Sequence, residues 1–241
     1  MLFTSENPGL EQESSFPAGW LPSLLPCLFL ARARAKYGLD EEMMMKVLIL
    51  SPYPESLMET VARLGDEAIC YNAPITPEFI AATQADFIIS YGYRTIIKID
   101  IIERFPRRIV NMHIAYLPWN RGVHPNVWSW IEGTPKGVTI HFIDQGIDTG
   151  DIIVQEEVQF GNDETLDTTY KKLRVQIERL FDRHWASIRS GCDATPQDLA
   201  AGNNHNKAQG EKILTLLPQG YQTPVATAEE LGRQLGLRIR P

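Results

Sequence analysis

From residue 45 onward, short apolar runs alternate with longer stretches in which apolar residues recur at helical spacing. Parallel strands need crossover connections, usually helices, so this alternation predicts a parallel sheet with helices on its faces. The candidate strands are residues 47–50, 68–71, 87–91, 109–112, 138–143 and 152–158. The candidate helices are residues 55–64, 77–83, 97–104, 125–132 and one long helix within 164–190. The predicted fold class is α/β: a mostly parallel, open sheet flanked by helices, with a short C-terminal extension.

The sequence changes character after the long predicted helix. Inside that helix an apolar stripe at helical spacing predicts packing on the core; it consists of Leu166, Tyr170, Leu173, Ile177, Leu180, Phe181 and Trp185. Residues 193–210 are polar and rich in Asn, Gln and Ala, which indicates a loop or an ordered lid. Residues 212–217 fit a short strand, and residues 227–235 fit a terminal helix capped by Thr227, with Glu230 three residues on.

The first 42 residues differ from the rest of the chain. Residues 16–35 are apolar but contain three prolines, and the stretch before them is acidic, unlike a secretory signal. No apolar run reaches the roughly 20 residues that a membrane span requires. We therefore divide the chain into residues 1–42, a main domain of residues 43–191 and a C-terminal extension of residues 192–241. The first segment is either a loosely ordered leader or the result of a start assigned too far upstream; an anchor at a membrane interface is the alternative.

Charge and cysteine content narrow the class of partner. The net charge of −7 and pI near 5.3 argue against a partner held mainly through phosphates, so we expect no nucleic acid. Cys27, Cys70 and Cys192 are widely separated and odd in number. They form no zinc pattern and no disulfide framework, which fits a reducing, cytoplasmic compartment and no metal.

Three polar residues stand out among the apolar runs. Asn111 and His113 follow a buried strand and lie two residues apart, so they share one strand face. Asp148 lies in the tight polar loop that joins the last two predicted strands. In open parallel sheets, strand ends and the loops beyond them carry the chemistry. Each residue alone also has a structural explanation: Asn111 as a turn cap, His113 as a bridge between carbonyls, and Asp148 as an acceptor for backbone N–H groups.

Two stretches carry a family resemblance: NMHIAYLPWNRGVHPNVW, starting at Asn111, and GVTIHFIDQGIDTGDII, starting at Gly137. Their order is Asn-x-His, Leu-Pro, Arg-Gly, Pro with a following Trp, Gly-Val-Thr-x-His and Asp-x-Gly. This order resembles the folate-dependent formyltransferase family, whose catalytic domain is Rossmann-like, and the match covers roughly residues 86–159. One departure is visible, because many members have His-Pro-Ser-Leu-Leu-Pro where this chain has His113-Ile-Ala-Tyr-Leu-Pro118. The missing Ser hydroxyl affects local loop contacts and leaves the three polar residues in place.

The resemblance implies transfer of a formyl group from the cosubstrate 10-formyltetrahydrofolate to a primary amine of a small molecule. Asn111 would donate an N–H to the developing oxyanion, His113 would move protons, and Asp148 would support the imidazole or order a water. The implied folate-binding residues are Arg94, Thr95, Ile96 and Ile97 in one loop, and Asp144, Gln145 and Gly146 opposite. Tyr91 and Tyr93 would lie at the entrance, and Arg121-Gly122 would shape the loop behind the catalytic residues. The remaining histidines are expected to be structural or on the surface; they are His124, His141, His184 and His205.

The sequence also bears on which amine is formylated. Glycinamide ribonucleotide formyltransferases have a phosphate-binding glycine-rich loop where this chain has Ser51-Pro-Tyr-Pro-Glu-Ser56, which lacks glycine and has two prolines. Methionyl-tRNA formyltransferases share Arg121-Gly-Val-His-Pro125-Asn-Val-Trp128 but carry a further RNA-binding barrel, whereas only residues 191–241 follow the long helix here. The remaining resemblance is to compact enzymes that formylate amino sugars linked to nucleotides. The alternatives are a methionyl-tRNA or glycinamide ribonucleotide formyltransferase, a 10-formyltetrahydrofolate hydrolase and a catalytically inert binding homologue, and a homodimer is left open.

Overall fold

The computed structural model describes residues 44–239. The predicted leader, residues 1–42, lies outside the described residues. None of the helices in the described part is both long enough and apolar enough to cross a bilayer.

The core of the fold is one six-stranded sheet with the order β2-β1-β3-β4-β6-β7. Strands β1 to β4 pair in parallel, whereas β4–β6 and β6–β7 are antiparallel, which confirms the mostly parallel α/β sheet. Two further short strands, β5 and β8, form a separate parallel pair. The strands are β1 Lys46–Leu50, β2 Glu67–Tyr71, β3 Phe87–Tyr91, β4 Ile109–His113, β5 Arg121–Gly122, β6 Gly137–Phe142, β7 Ile152–Glu157 and β8 Asn204–His205.

Helices cover both faces of this sheet, and two of them have the predicted bounds. They are α1 Glu55–Arg63, α2 Pro77–Thr83, α3 Ile99–Ile102, α4 Pro125–Glu132, α5 Leu166–Ser190, α6 Lys207–Thr215 and α7 Val225–Gln234. Helix α3 is shorter than the predicted 97–104, because its N-cap, Lys98, has an extended backbone. Helix α5 begins with a capping box in which Thr165 and Thr168 satisfy each other's backbone N–H groups.

Strand alternation sorts apolar and polar side chains onto different faces. Val110 and Met112 of β4 pack in the cluster that contains the α5 stripe, including Phe181 and Trp185. Ile109 packs on the opposite face, in the cluster formed with α2 and α3. Because side chains alternate along a strand, Asn111 and His113 share the face of Ile109.

The C-terminal extension differs from the sequence-based expectation. The predicted strand 212–217 is wrong, since α6 runs through it, and the predicted loop or lid 193–210 is wrong from β8 onward. A short apolar run does not by itself distinguish a strand from a helix. Here Asn206 and Gln209 form a capping box, and Ile213 and Leu217 pack with α4. The terminal helix α7 exists as predicted, but it begins after Pro224, so Thr227 lies inside the helix and does not cap it.

Helix α7 lies so close to α4 that a side chain at Gly232 has no space: an added Cβ would lie 1.8 Å from the carbonyl oxygen of Ile131. We expect Gly232→Ala to lower the free energy of unfolding by about 1–3 kcal/mol, because the helices must separate. The control is Thr227→Ala, an exposed position in the same helix, which should change stability by less than about 0.5 kcal/mol. Urea unfolding measures both, and a marked loss in Thr227→Ala would show that it does cap α7.

Candidate active site

The polar site is built on the face of the sheet where β4 and β6 pair. In the antiparallel register, Asn111 lies opposite His141, and His113 lies opposite Thr139. Strand β4 extends one residue past the predicted 109–112, so both Asn111 and His113 lie within it. The antiparallel pairing adds His141, which was expected to be a structural residue, to the same site.

Asp148 reaches this face from the loop between β6 and β7. Its Oδ1 accepts a hydrogen bond from Asn111 Nδ2 at 3.0 Å, and its Oδ2 lies 3.7 Å from His113 Nδ1. The backbone N–H of Gly122 donates to Oδ2 at 2.8 Å. His141 Nε2 lies 3.5 Å from Oδ1. The structure thus brings Asn111, His113 and Asp148 together as one unit, around a carboxylate.

The loop that carries Asp148 has a defined internal geometry. Asp144 Oδ1 accepts hydrogen bonds from the N–H of Gly146 at 3.0 Å and from the hydroxyl of Thr149 at 2.6 Å. Asp148 has φ of 54°, in the left-handed region that non-glycine residues seldom adopt. The surroundings must therefore hold Asp148 in place, as is common for residues at functional sites.

The surroundings of Asp148 favour its ionised form. Burial raises the pKa of this carboxyl, but His113, His141 and the Gly122 N–H outweigh burial and hold the pKa well below its ordinary value of 3.8. The positive or hydrogen-bonding groups compensate for the loss of water around the charge. Asp148 is therefore a carboxylate at neutral pH.

His113 is held between two acceptors. Its Nε2 lies 3.2 Å from the carbonyl oxygen of Asn120, and its Nδ1 faces Asp148. Because a carbonyl can only accept, the Nε2 atom carries the hydrogen of that bond. When Nδ1 also takes a proton, the resulting positive charge faces the carboxylate. The ring can thus gain and lose a proton at Nδ1 without changing its orientation.

Asn111 and His141 form a second polar pair. His141 Nδ1 lies 2.7 Å from its neighbouring carbonyl, Phe142 O, so this nitrogen carries the hydrogen. The other ring nitrogen, Nε2, lies 3.3 Å from Asn111 Nδ2 and 3.5 Å from Asp148 Oδ1. The Asn111 amide thus contacts both Asp148 and His141. His141 orients Asn111, which is more than the structural role expected of it.

The expected folate-binding residues lie in two loops, one after β3 and one after β6. The side chain of Ile97 is buried, and it belongs to the same apolar cluster as Ile143, which begins the second loop. Ile96 is 72% exposed, the highest exposure among the large apolar residues in the described part of the chain. The remaining residues, Arg94, Thr95, Asp144, Gln145 and Gly146, are exposed or half-buried. The two loops are thus connected by an apolar cluster, and apart from Ile97 these residues are exposed or half-buried.

The two tyrosines near this loop differ in exposure, because Tyr91 is buried and Tyr93 is half-buried. Tyr91 is 3% exposed and lies on the opposite face of the sheet, where its hydroxyl donates to Glu178 at 2.9 Å. The hydroxyl of Tyr93 donates to the carbonyl of Ala73 at 2.9 Å. The expectation for Tyr91 is therefore wrong, because strand alternation turns its ring away from Asn111.

Arg121 and Gly122 shape the loop behind the site, as expected. Gly122 has φ of 92°, and a Cβ there would lie 2.2 Å from the carbonyl oxygen of His205. This close approach requires glycine, and it directs the Gly122 N–H at Asp148. Sequence reasoning missed this N–H and His141, although the Thr-x-His pattern of β6 places His141 on the face of Thr139.

Acid unfolding tests the charge on Asp148. Its pKa is depressed in the folded state, so the carboxylate stabilises the fold above the unfolded pKa of about 3.8, and this contribution is lost as pH falls below it. We expect the wild type to exceed Asp148→Asn in stability near pH 6 and the gap to shrink by about pH 3. Urea unfolding at several pH values measures this gap, with Asp193→Asn, an exposed carboxylate, as control. If the stability difference between the wild type and Asp148→Asn did not vary with pH, the lowered pKa of Asp148 would be wrong.

Comparison with known proteins identifies the family of this chain. The family described as "Formyl transferase" matches residues 73–183. A dTDP-4-amino-4,6-dideoxyglucose formyltransferase of Mycobacterium bovis is 33% identical over 167 residues, which are 64% of this chain and 70% of that protein. A methionyl-tRNA formyltransferase of Finegoldia magna is 35% identical over 131 residues, covering 52% of this chain and 42% of the relative. The chain thus spans less than half of that relative's length.

A solved structure supports the same relationship. The formyltransferase PseJ of Anoxybacillus kamchatkensis is 45% identical, with a TM-score of 0.73 over 77% of this chain and 99% of PseJ. That crystal structure contains UDP-4,6-dideoxy-4-formamido-L-AltNAc and tetrahydrofolate. By fold and sequence, the chain belongs to the folate-dependent formyltransferase family.

Proposed function

We propose that the protein transfers a formyl group from 10-formyltetrahydrofolate to the primary amine of an amino sugar linked to a nucleotide. The observation that carries the proposal is that Asn111 and His113 both face the partly buried carboxylate of Asp148. The likeness to PseJ, which holds a formamido sugar nucleotide and tetrahydrofolate, supports this class of acceptor and donor. In this proposal residues 43–191 form the catalytic domain and residues 192–241 its C-terminal extension.

The proposed reaction joins the amine nitrogen to the formyl carbon and breaks the bond from that carbon to the folate nitrogen. The amine attacks first, and the formyl oxygen becomes an oxyanion in the tetrahedral intermediate. Asn111 donates an N–H to this oxygen, replacing its longer contact, the one to His141 at 3.3 Å. His113 takes the proton of the attacking amine at Nδ1, and the same proton then goes to the departing folate nitrogen.

Asp148 supports this proton transfer by its negative charge and its hydrogen bonds. Its carboxylate faces Nδ1 of His113, so the proton is taken up where the charge is compensated. The same carboxylate orients Asn111 through the 3.0 Å hydrogen bond. One ionised group thus supports both the proton carrier and the oxyanion donor. This common dependence predicts that the three residues act together.

The donor is proposed to bind between the two loops described above. Main-chain groups of residues 94–97 and 144–146 would hold the pterin ring through hydrogen bonds. The apolar cluster containing Ile97 and Ile143 lies beneath these loops and would support the ring. Both loops begin next to the β4–β6 pair, which directs the formyl group towards Asn111.

The acceptor is proposed to bind on the side of β5. His124 Nδ1 lies 2.8 Å from the hydroxyl of Tyr221. Burial and the nearby Arg94 guanidinium both lower the pKa of His124, and Arg94 opposes the rise that burial causes in the pKa of Tyr221. The exposed Arg94 side chain is therefore within electrostatic range of both rings. A guanidinium beside aromatic groups suits the diphosphate of a nucleotide sugar.

The loop after β1 disfavours a ribonucleotide phosphate at that position. Pro52 and Pro54 have no N–H to offer. The N–H of Ser51 donates to Tyr71 O at 3.2 Å, and the N–H of Tyr53 donates to the Ser51 hydroxyl at 2.9 Å. The loop therefore has no free N–H group between residues 51 and 54 for an anion. This supports an acceptor other than glycinamide ribonucleotide.

Release of tetrahydrofolate tests the proposed function directly. The purified protein is given 10-formyltetrahydrofolate alone, or with UDP- or dTDP-linked amino sugars, glycinamide ribonucleotide or methionyl-tRNA. We expect rapid release only with an amino-sugar nucleotide. Release without any amine would indicate a hydrolase. Release only when methionyl-tRNA is the acceptor would indicate a methionyl-tRNA formyltransferase, like the Finegoldia relative.

Substitution of the catalytic residues should show that they form one unit. We expect Asn111→Ala to lower turnover by about 10²–10³, the usual effect of losing one oxyanion donor. His113→Ala and Asp148→Ala should each lower turnover at least as much. The variant that carries both of these substitutions should lose much less turnover than the product of the two single losses. His184→Ala, a histidine outside the site on α5, is the control and should keep wild-type turnover. If His113→Ala kept more than about a tenth of wild-type turnover, the mechanism would be wrong.

Substitution of Arg94 tests the acceptor position. We expect Arg94→Ala to raise the KM for the sugar nucleotide by about 10- to 100-fold, as for a lost charge-assisted hydrogen bond. The KM for the folate should change by less than about threefold, because only main-chain groups of this loop are proposed to bind it. The matched control is Lys98→Ala, which removes an exposed positive charge nearby. Equal effects of the two substitutions would mean that overall charge, not Arg94, attracts the acceptor.

A further inference from the structure

The C-terminal extension contacts the catalytic loop directly. We name residues 195–205 the docking segment; it begins just after α5 and ends with β8. Thr195 pairs with Ile152 through two backbone hydrogen bonds of 2.8 Å, at the residue where β7 begins. The docking segment thus starts beside the loop that carries Asp148.

Gln197 of the docking segment binds the backbone on both sides of Thr149. Its Nε2 donates to the carbonyl oxygen of Asp148 at 3.0 Å and to that of Gly150 at 2.6 Å. Both amide hydrogens are therefore used on the catalytic loop. Asp148 has the left-handed backbone described above, so a hydrogen bond to its own carbonyl helps hold a conformation that the residue alone disfavours.

The far end of the docking segment holds the other side of the site. Asn203 Oδ1 accepts from the N–H of Asn120 at 2.6 Å, and Asn203 O accepts from the N–H of Arg121 at 3.2 Å. Asn120 provides the carbonyl that binds His113, and the next residue but one, Gly122, donates to Asp148. The docking segment therefore contacts both loops that meet at the carboxylate.

The packing of this segment is close and includes a buried polar contact between a histidine and a carboxylate. A Cβ at Gly202 would lie 2.1 Å from the carbonyl oxygen of Pro118. The His205 ring stacks on Trp128, with centroids 3.8 Å apart and planes at 6°, and its Nε2 lies 3.1 Å from Glu132 Oε2. This close packing indicates that the docking segment is a fixed support and not a lid.

We infer that Gln197 is a positioning residue for the catalytic carboxylate, acting through the Asp148 backbone. This inference rests on the proposed function, since it assigns Gln197 a part in that reaction. The docking segment would complete the active site from outside the domain that carries the three catalytic residues. Its effect on turnover would then depend on the presence of the Asp148 carboxylate.

A double-mutant cycle distinguishes positioning from general stabilisation. Gln197→Met keeps the size of the side chain but has no donor, and Gln197→Glu also brings a negative charge to the two carbonyls. We expect each to lower kcat by about 10- to 100-fold in the wild type. In an Asp148→Ala background the same substitutions should change kcat by less than about twofold. The neutral Gln197→Met decides the question if Gln197→Glu does not fold.

Gln155 provides a matched control. It is half-buried, and its Nε2 also donates to a backbone carbonyl, Leu117 O, at 3.0 Å. Gln155→Met should lower the melting temperature about as much as Gln197→Met while changing kcat by less than about threefold. The proposal would be overturned if Gln197→Met lowered kcat by the same factor in the wild type and in Asp148→Ala. It would also be overturned if Gln197→Met kept the wild-type kcat.

A readout independent of turnover separates this inference from the proposed function. Hydrogen–deuterium exchange at the Gly122 amide, which donates to Asp148, should become at least about tenfold faster in Gln197→Met but not in Gln155→Met. Unchanged exchange would also overturn the proposal. If the wild type transfers no formyl group but the exchange result holds, the proposed function fails while the structural coupling of Gln197 to Asp148 stands.

Discussion

The site depends on the partly buried carboxylate of Asp148. It receives the amide of Asn111 and the backbone N–H of Gly122, and it faces the rings of His113 and His141. A charge with little water around it needs such partners, because burial without them is costly. The partners come from β4, β5 and β6, so this one charge fixes three elements relative to each other.

The antiparallel β4–β6 pairing makes this concentration of polar groups possible. Here β6 lies directly against β4 in reverse, and the loop that follows it folds over the sheet face. The mixed sheet therefore gives the site two polar strands and a covering loop within a short length of chain.

The C-terminal extension belongs to the same structure. It packs α6 and α7 on α4, and its first residues contact the loops around Asp148 and Asn120. The family signature ends well before this extension, so the signature residues depend for their geometry on a segment outside it. In the proposed function, variation in the extension can adjust the acceptor side while the catalytic residues stay the same.

The sequence determined the sheet and most helices and predicted that Asn111, His113 and Asp148 lie together, because strand periodicity and a fixed order of motif residues are local properties. It misassigned residues 212–217, since a short apolar run fits a strand or a helix until its packing partner is known. Only the tertiary structure showed His141, the Gly122 N–H and Gln197 at the site. Strand register and the docking of distant loops bring these groups together, and both depend on long-range contacts that spacing along the chain does not encode.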